Sequence, residues 1–444
     1  MENELVKGNV LKSLIKFALP VFAALFLQSL YGGADLLIVG QFAQTADVSG
    51  VATGTVLMQM VTMVITGLAM GVTVYLGQKI GQGKRDEAGK AMGTGLCLFA
   101  IIAVILTVIL FGFADSLAVL LHTPVEAFEQ TVAYIRICGL GMVFVVFYNL
   151  IGAIFRGMGD SKTPLLTVLV ACIVNIVGDL ILVAIFHMGA MGAAIATVFA
   201  QAISVVISLV IIRKKQLPFD YKKEYTRLEL EIVKRELQLG VPVALQELLV
   251  GLSFVVIQTA VNSIDVIASA GVGVAEKVCA FIMLVPSAYS QSISAFVAQN
   301  VGAGEHSRAR EALKYGISTS LCVAMVIATF TFIRGDLLAG IFSKDTAVIL
   351  QAHDYLKAYA IDTFLTSILF CFVGYYNGYG KTLFVMLQGL VGAVLVRIPI
   401  VLYMSSIEGA SLFQIGLANP ASSIIQIILC LWYMRMIDKK RTLS

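Results

Sequence analysis

Twelve apolar runs, each long enough to cross a bilayer and separated by short polar stretches, leave this 444-residue chain few ways to fold. They lie at about 13–40, 49–77, 92–113, 129–153, 163–185, 190–212, 237–262, 266–299, 312–333, 353–377, 382–403 and 412–436. Lipid offers no hydrogen-bond partners, so a spanning segment must satisfy its own backbone, which only helices and closed barrels do. Runs of about 20 apolar residues suit helices, whereas barrel strands are shorter and alternate in polarity. No such alternation occurs here. Only 13% of residues are charged and 59% are hydrophobic, against about 25% charged in soluble domains. The expectation is an all-α polytopic membrane protein with twelve transmembrane helices.

One long hydrophilic stretch, RKKQLPFDYKKEYTRLELEIVKRE at 213–236, interrupts the apolar runs. Its basic residues place it in the cytoplasm by the positive-inside tendency. Lys79, Lys84, Arg85 and Lys90 follow the second run, Arg156 and Lys162 the fourth, and Arg308, Arg310 and Lys314 the eighth. The loops on the other side carry almost no Lys or Arg, Arg334 and Lys344 excepted. Both termini are therefore expected in the cytoplasm of a multi-pass plasma-membrane protein.

The two halves repeat. Gln78, Gly81, Gly83, Ala88, Ala91 and Gly95 recur as Gln299, Gly302, Gly304, Ala309, Ala312 and Gly316, all at one separation (299 − 78 = 221). Tyr134, Gly157 and Gly159 recur as Tyr355, Gly378 and Gly380 at the same offset, and Pro20 recurs as Pro242 at an offset of 222. Each copy begins on the same side and holds six runs, so an axis along the membrane normal should relate them. The expected organisation is a six-helix lobe at 1–212, a linker at 213–236 and a second six-helix lobe at 237–444. Two such lobes would enclose a cavity suited to alternating access.

Several function classes are disfavoured. The seven cysteines are scattered singly through apolar runs, with no CxxC, and read as small buried hydrophobes. The N-terminal segment lacks a signal-peptide cleavage pattern and reads as retained. A formal charge of +4 fits loops facing anionic lipid and does not suggest nucleic acid. GYYNGYGKT, from Gly374 to Thr382, is one residue too long for a phosphate-binding loop and follows a membrane helix rather than a strand. His122, His187, His306 and His353 lack metal-ligand spacing, and neither G-x-S-x-G nor HExxH occurs. An enzyme is not expected, nor a cofactor, nor an obligate protein partner.

Carboxylates inside spans are the informative residues, because a charge in hydrocarbon is costly and usually faces a cavity or a partner. Asp35 lies in the first run; Asn175 and Asp179, four apart in the fifth, share one helix face. Counting from the cytoplasmic ends, Asp35 is roughly 30 Å and Asp179 roughly 24 Å along its helix. Tyr134 and Thr197, on runs that travel inward, come about 8 and 10 Å below the outer surface. All five share a depth band. Their oxygens make a plausible monovalent-cation site, with sodium at Asp35, Asn175 and Asp179, or a carboxyl pair that holds a proton. In the second half, Glu247 lies roughly 15 Å into the seventh run and Asp362 roughly 14 Å into the tenth, as candidate cavity or ion ligands. Glu276 with Lys277, and Arg397, read as local pairing groups. Pro20 shares a helix with Asp35, so ion binding could bias a bend there, making Pro20 a candidate hinge.

LPVFAALFLQSLYGGADLLIVG in the first run, YLGQKIGQGKRDEA after the second, FRGMGDSKTPLL after the fourth, NIVGDLILV in the fifth and MGAAIATVFAQ in the sixth, echoed by FVAQNVGAGEHSRA, together resemble the multidrug and toxic compound extrusion (MATE) transporters of bacterial type. The resemblance spans essentially the whole chain. It implies a two-lobed exporter of small organic, often cationic or amphipathic compounds in exchange for inward proton or sodium flow. It also places the family's first-lobe cation or proton site on Asp35, Tyr134, Asn175, Asp179 and Thr197, and puts Gln28 and Asn149 on the cavity wall. Asp362 departs from the pattern, about one helical turn from where the family's tenth-span acid would fall. The main rival is a lipid-linked oligosaccharide flippase of the same broader superfamily, which should carry several Arg or Lys in its cavity. A facilitator of the other major twelve-helix superfamily shares the symmetry but not the motif order.

Overall fold

The computed structural model of the protein describes residues 5–262, 264–407 and 409–443. In the first half run α1 (Val10–Phe42), α2 (Thr45–Gly81), α3 (Arg85–Gly112), the short α4 (Ala114–Leu120), α5 (Phe128–Leu140), α6 (Met142–Gly157), α7 (Lys162–Asp179) and α8 (Gly189–Lys214). In the second come α9 (Leu230–Asn262), α10 (Val266–Ile282), α11 (Leu284–Gly302), α12 (His306–Ala339), α13 (Thr346–Gly378), α14 (Thr382–Leu390), α15 (Ile398–Ser405), the short α16 (Leu412–Gly416) and α17 (Ala418–Leu443). Two π-helical segments, Leu180–Ile185 and Val391–Arg397, interrupt the helical runs. No strand occurs among the described residues.

Eleven helical stretches are long and apolar enough to cross a membrane, and the bent pair Val125–Leu140 and Met142–Gly157 makes a twelfth. The protein is a multi-pass, all-helical membrane protein. α3 shows how such a helix divides its surface. Ala88, Gly89, Ala91, Gly93 and Gly95 are buried, while Val104, Ile105 and Val108 are more than half exposed. Small residues let helix backbones approach, and the large apolar ones face lipid.

Two expected helices are broken. The run expected at 129–153 bends by 55° at Gly141, where an added Cβ would collide with the Val198 methyls. The run expected at 266–299 separates at Met283. Pro286 lacks the N–H that would bond the carbonyl of Ile282, so the helical ladder is interrupted at that junction. Pro20 and Pro242, by contrast, are accommodated inside the continuous helices α1 and α9.

The chain forms two compact units: Met1–Lys7, Lys16–Ala244 and Ala298–Gly304 in one, and Gly8–Ile15, Leu245–Val297 and Glu305–Ser444 in the other. The core of the first unit gathers Ile65, Val72, Leu76, Phe99, Ile135, Met142, Val146 and Ile154. That of the second gathers Val261, Val272, Ala275, Tyr355, Leu356, Val401 and Ile415. The 213–236 bridge packs within the first unit. Tyr225 is buried and its hydroxyl bonds Asp86, Thr94 Oγ1 donates to the Arg227 carbonyl at 3.1 Å, and Gly89 and Gly93 bring α3 against the backbone of Asp220 and Tyr225.

The sequence repeat has a physical basis. Gly83 and Gly304 have φ of 71° and 78°, and Gly159 and Gly380 have 83° and 72°. Each pair thus needs the left-handed conformation that glycine adopts without a Cβ penalty. Gly81 packs on the Gln299 carbonyl while Gly302 packs on that of Gln78, a reciprocal contact within the first unit.

Candidate cation-coupling site

On α1, Gln28, Tyr31 and Asp35 succeed one another at helical spacing along one face. The Tyr31 hydroxyl faces Gln28 and Gln201. α7 contributes Asn175 and Asp179, α8 contributes Thr197 and Gln201, and α5 contributes Tyr134. Glycines set the approach of these helices. At Gly178, an added Cβ would lie 3.0 Å from that of Ala196, so α7 and α8 approach closely beside Asn175 and Thr197. At Gly54 an added Cβ would strike the Tyr134 ring, and the adjacent Thr55 Oγ1 lies 3.3 Å from the Tyr134 hydroxyl.

Asp35, Asn175, Asp179 and Tyr134 are all buried. Thr197 Oγ1 donates to Asp35 Oδ2 at 3.0 Å and accepts from Asn175 Nδ2 at 3.3 Å. The Asp35 and Asp179 carboxyl groups face each other, and Tyr134 lies within electrostatic reach of both. Four buried oxygens have no hydrogen-bond donor: Asp35 Oδ1, Asp179 Oδ1 and Oδ2, and Asn175 Oδ1. Acceptors without donors in a buried site are costly, and two facing carboxylates more so. A shared proton or a small monovalent cation would supply what the cluster lacks. Asp179 is also the residue at which α7 passes into the π-helical segment Leu180–Ile185, a distortion that often marks functional positions.

The family model MatE matches residues 20–181 and 242–402, one segment in each half and well over half the chain. The chain belongs to the MATE family. That is a family of membrane transporters, not of enzymes. The probable multidrug resistance protein YoeA of Bacillus subtilis is 23% identical over 99% of this chain and 96% of its own length. The multidrug export protein MepA of Staphylococcus saprophyticus is 23% identical, over 91% of this chain and 89% of its own. Among solved structures, an outward-facing MATE multidrug resistance transporter of the MOP superfamily superimposes with a TM-score of 0.93 at 18% identity, covering 99% of both chains. A MOP-superfamily transporter from Pyrococcus furiosus, described as having a binding pocket of reverse polarity, gives 0.93 at 18% identity over 99% of this chain and 98% of its own.

Within this MATE fold the expected cavity residues each have their own surroundings. Gln28 lies beside Tyr31 at the edge of the Asp35 cluster. Asn149 Nδ2 donates to the Val145 carbonyl at 2.9 Å, and its Oδ1 accepts from Thr66 at 3.2 Å. Glu247, on α9, is exposed. Asp362 is buried, accepting from Ser423 Oγ at 2.6 Å. It belongs to a second-unit polar centre in which Asn419 Nδ2 donates to the Tyr355 hydroxyl at 3.1 Å and Arg397 Nη1 donates to Ser253 Oγ at 3.0 Å. The Arg397 guanidinium lies over the Phe254 ring, 4.8 Å from its centroid, and within electrostatic reach of Asp362.

Sequence reasoning missed Tyr31, Thr55 and Gln201. Two of them were within reach of it, since Tyr31 precedes Asp35 and Gln201 follows Thr197 by one helical turn of four residues. Thr55 becomes visible only once Gly54 sets α2 against Tyr134.

Proposed function

We propose that this MATE transporter is a proton- or sodium-coupled antiporter that exports organic, often cationic or amphipathic, compounds by alternating access across the cell membrane. Both termini then lie in the cytoplasm, and segments 1–212 and 237–444 act as the two lobes joined by 213–236. The observation that carries the reading is the facing pair Asp35 and Asp179, buried, with three of its four oxygens lacking a donor. Such a pair is stabilised by one mobile positive charge, which is what an ion-coupled exporter must bind and release. Asn175, Thr197 and Tyr134 complete its oxygen-rich wall, while Gln28, Asn149, Glu247 and Asp362 are assigned to the substrate path and Pro20 to the hinge of α1. The multidrug names of YoeA and MepA support the substrate class.

The polarity of the interior favours export of cations over the handling of anionic lipid-linked sugars. Among the described residues the buried charged side chains are Asp35, Asp179, Glu236 and Asp362, against Arg397 alone. The test is efflux of a fluorescent cationic dye from proteoliposomes under an imposed pH gradient and, separately, an imposed sodium gradient. Efflux driven by one gradient, and lost in Asp35→Asn, supports the reading and names the ion. Failure of both gradients to move a panel of dyes through folded protein would overturn it in favour of a lipid-linked substrate.

A further inference from the structure

Glu236 is a third buried acid of the first unit, and nothing in the Asp35 cluster involves it. It lies on α9, about 9 Å from the helix start at a rise of 1.5 Å per residue, as the last residue of the bridge. Its side chain is buried, and neither Oε1 nor Oε2 has a hydrogen-bond donor. The site is made by close packing. Gly71 on α2 sits on the Glu236 carbonyl and on Gly240, and Gly240 in turn sits on Leu68. On α3, Gly95 lies beside the carboxyl, where an added Cβ would be in ordinary contact with Oε1 at 3.6 Å.

The charged and titratable groups around it are few. α3 presents Gly95 to the carboxyl, and α2 presents Tyr75, an electrostatic neighbour of Glu236. Tyr75 in turn neighbours Lys79, whose Nζ lies 5.2 Å from the Tyr75 ring centroid and 2.5 Å from Glu87 Oε2. On α9 itself Lys234 and Arg235 are exposed and turned away. A metal cation needs several oxygen ligands, and among the described residues no group of three or more His, Cys, Asp or Glu side chains could hold one. A proton needs one oxygen.

We propose that Glu236 is a proton-binding site of the transport cycle at the bridge-side end of the first unit, distinct from the Asp35 and Asp179 pair. When α2, α3 and α9 close, the carboxyl holds a proton taken from bridge-side water past Lys79, Glu87 and Tyr75. When those helices part, the proton returns to that water and a hydrated carboxylate remains. An ionised carboxylate sealed in this packing would be strongly disfavoured, so the state of the proton and the closure of the helices are linked. The proposal rests on the proton-coupled form of the function above.

The experiment compares Glu236→Gln and Glu236→Asp with the wild type in proteoliposomes, reading dye efflux against bridge-side pH and dye affinity in detergent. The expected result is that Glu236→Gln keeps dye affinity but loses the pH dependence, with efflux at the optimum down about tenfold, and that Glu236→Asp restores part of the dependence. An unchanged pH profile in Glu236→Gln overturns the proposal, whatever the rate. Should the glutamine variant not fold, carbodiimide labelling of the wild type decides, since that reagent modifies protonated carboxyls. Labelling of Glu236 that falls as bridge-side pH rises supports the site, and pH-independent or absent labelling overturns it. Asp35→Asn run alongside separates the two ideas. Loss of driven efflux there with an unchanged Glu236→Gln profile sinks only this proposal.

Discussion

The two halves place polar groups at matching positions but solve the problem of buried charge differently. Tyr134 corresponds to Tyr355 (355 − 134 = 221), Asn175 to Arg397 (397 − 175 = 222) and Thr197 to Asn419 (419 − 197 = 222). In the first unit two carboxyls face each other with an amide beside them, and among the described residues no basic side chain acts on either. In the second, the position of that amide is taken by an arginine, within electrostatic reach of Asp362, which already has a hydroxyl donor. One centre lacks a positive charge, and the other has one tethered to it. The repeat therefore supplies a common scaffold, on which single substitutions decide whether a basic side chain stands beside the acids. Both centres abut π-helical segments, after Asp179 and ending at Arg397.

Removing the first unit's acids should have the largest effect. Asp179→Asn is expected to lower gradient-driven efflux by about a hundredfold or more, measured as dye efflux per folded transporter. Asp35→Asn should match it. Second, Arg397→Gln removes the tethered charge and its bond to Ser253, at a cost of about 2 kcal/mol. It should appear as earlier thermal unfolding in detergent, with ion coupling kept by the protein that remains folded. Loss of coupling with stability intact would reverse the assignment of roles.

Smaller effects sharpen the comparison. Tyr355→Phe deletes a buried bond to Asn419 and should cost about 1 kcal/mol of stability. Tyr134→Phe loses a longer contact with Thr55 and should shift ion dependence more than unfolding temperature. The smallest difference lies in the turns. Asp160 Oδ1 accepts from the backbone N–H of Lys162 and of Thr163, both at 3.1 Å, at the start of α7, whereas the equivalent position, Lys381, makes no such cap. Burial alone would raise the Asp160 carboxyl, but hydrogen bonds from Lys215 and Thr163 outweigh it and hold the group below its usual value. A depressed value means that the stabilisation is present above the unfolded-state pKa and is lost as pH falls through the folded one. Asp160→Asn should thus cost about 1 kcal/mol at neutral pH, and the difference from wild type should vanish in acid. Thermal unfolding at the two pH values checks it.

Much of this architecture was legible because lipid enforces simple rules. Long apolar runs gave the spans, and the paired glycines gave the repeat, since a left-handed backbone at Gly83 and Gly304 admits few substitutes. Asp35, Asn175 and Asp179 stood out because acids and amides are rare in such runs. What stayed hidden depends on packing between distant segments. The bend at Gly141 packs against Val198, 57 positions on (198 − 141 = 57), and the π-helical turns leave no pattern in composition. Glu236 read as the end of a charged bridge because its burial is set by packing against other helices, closest at Gly71, not by its own neighbours in sequence.

The most direct test of the central claim measures two quantities on one preparation of Asp179→Asn: dye affinity in detergent and dye efflux from proteoliposomes under the gradient that drives the wild type. If the carboxyl pair carries the coupling ion, affinity stays near wild type while driven efflux collapses. Driven efflux at the wild-type rate, from folded protein lacking that carboxylate, would contradict the account.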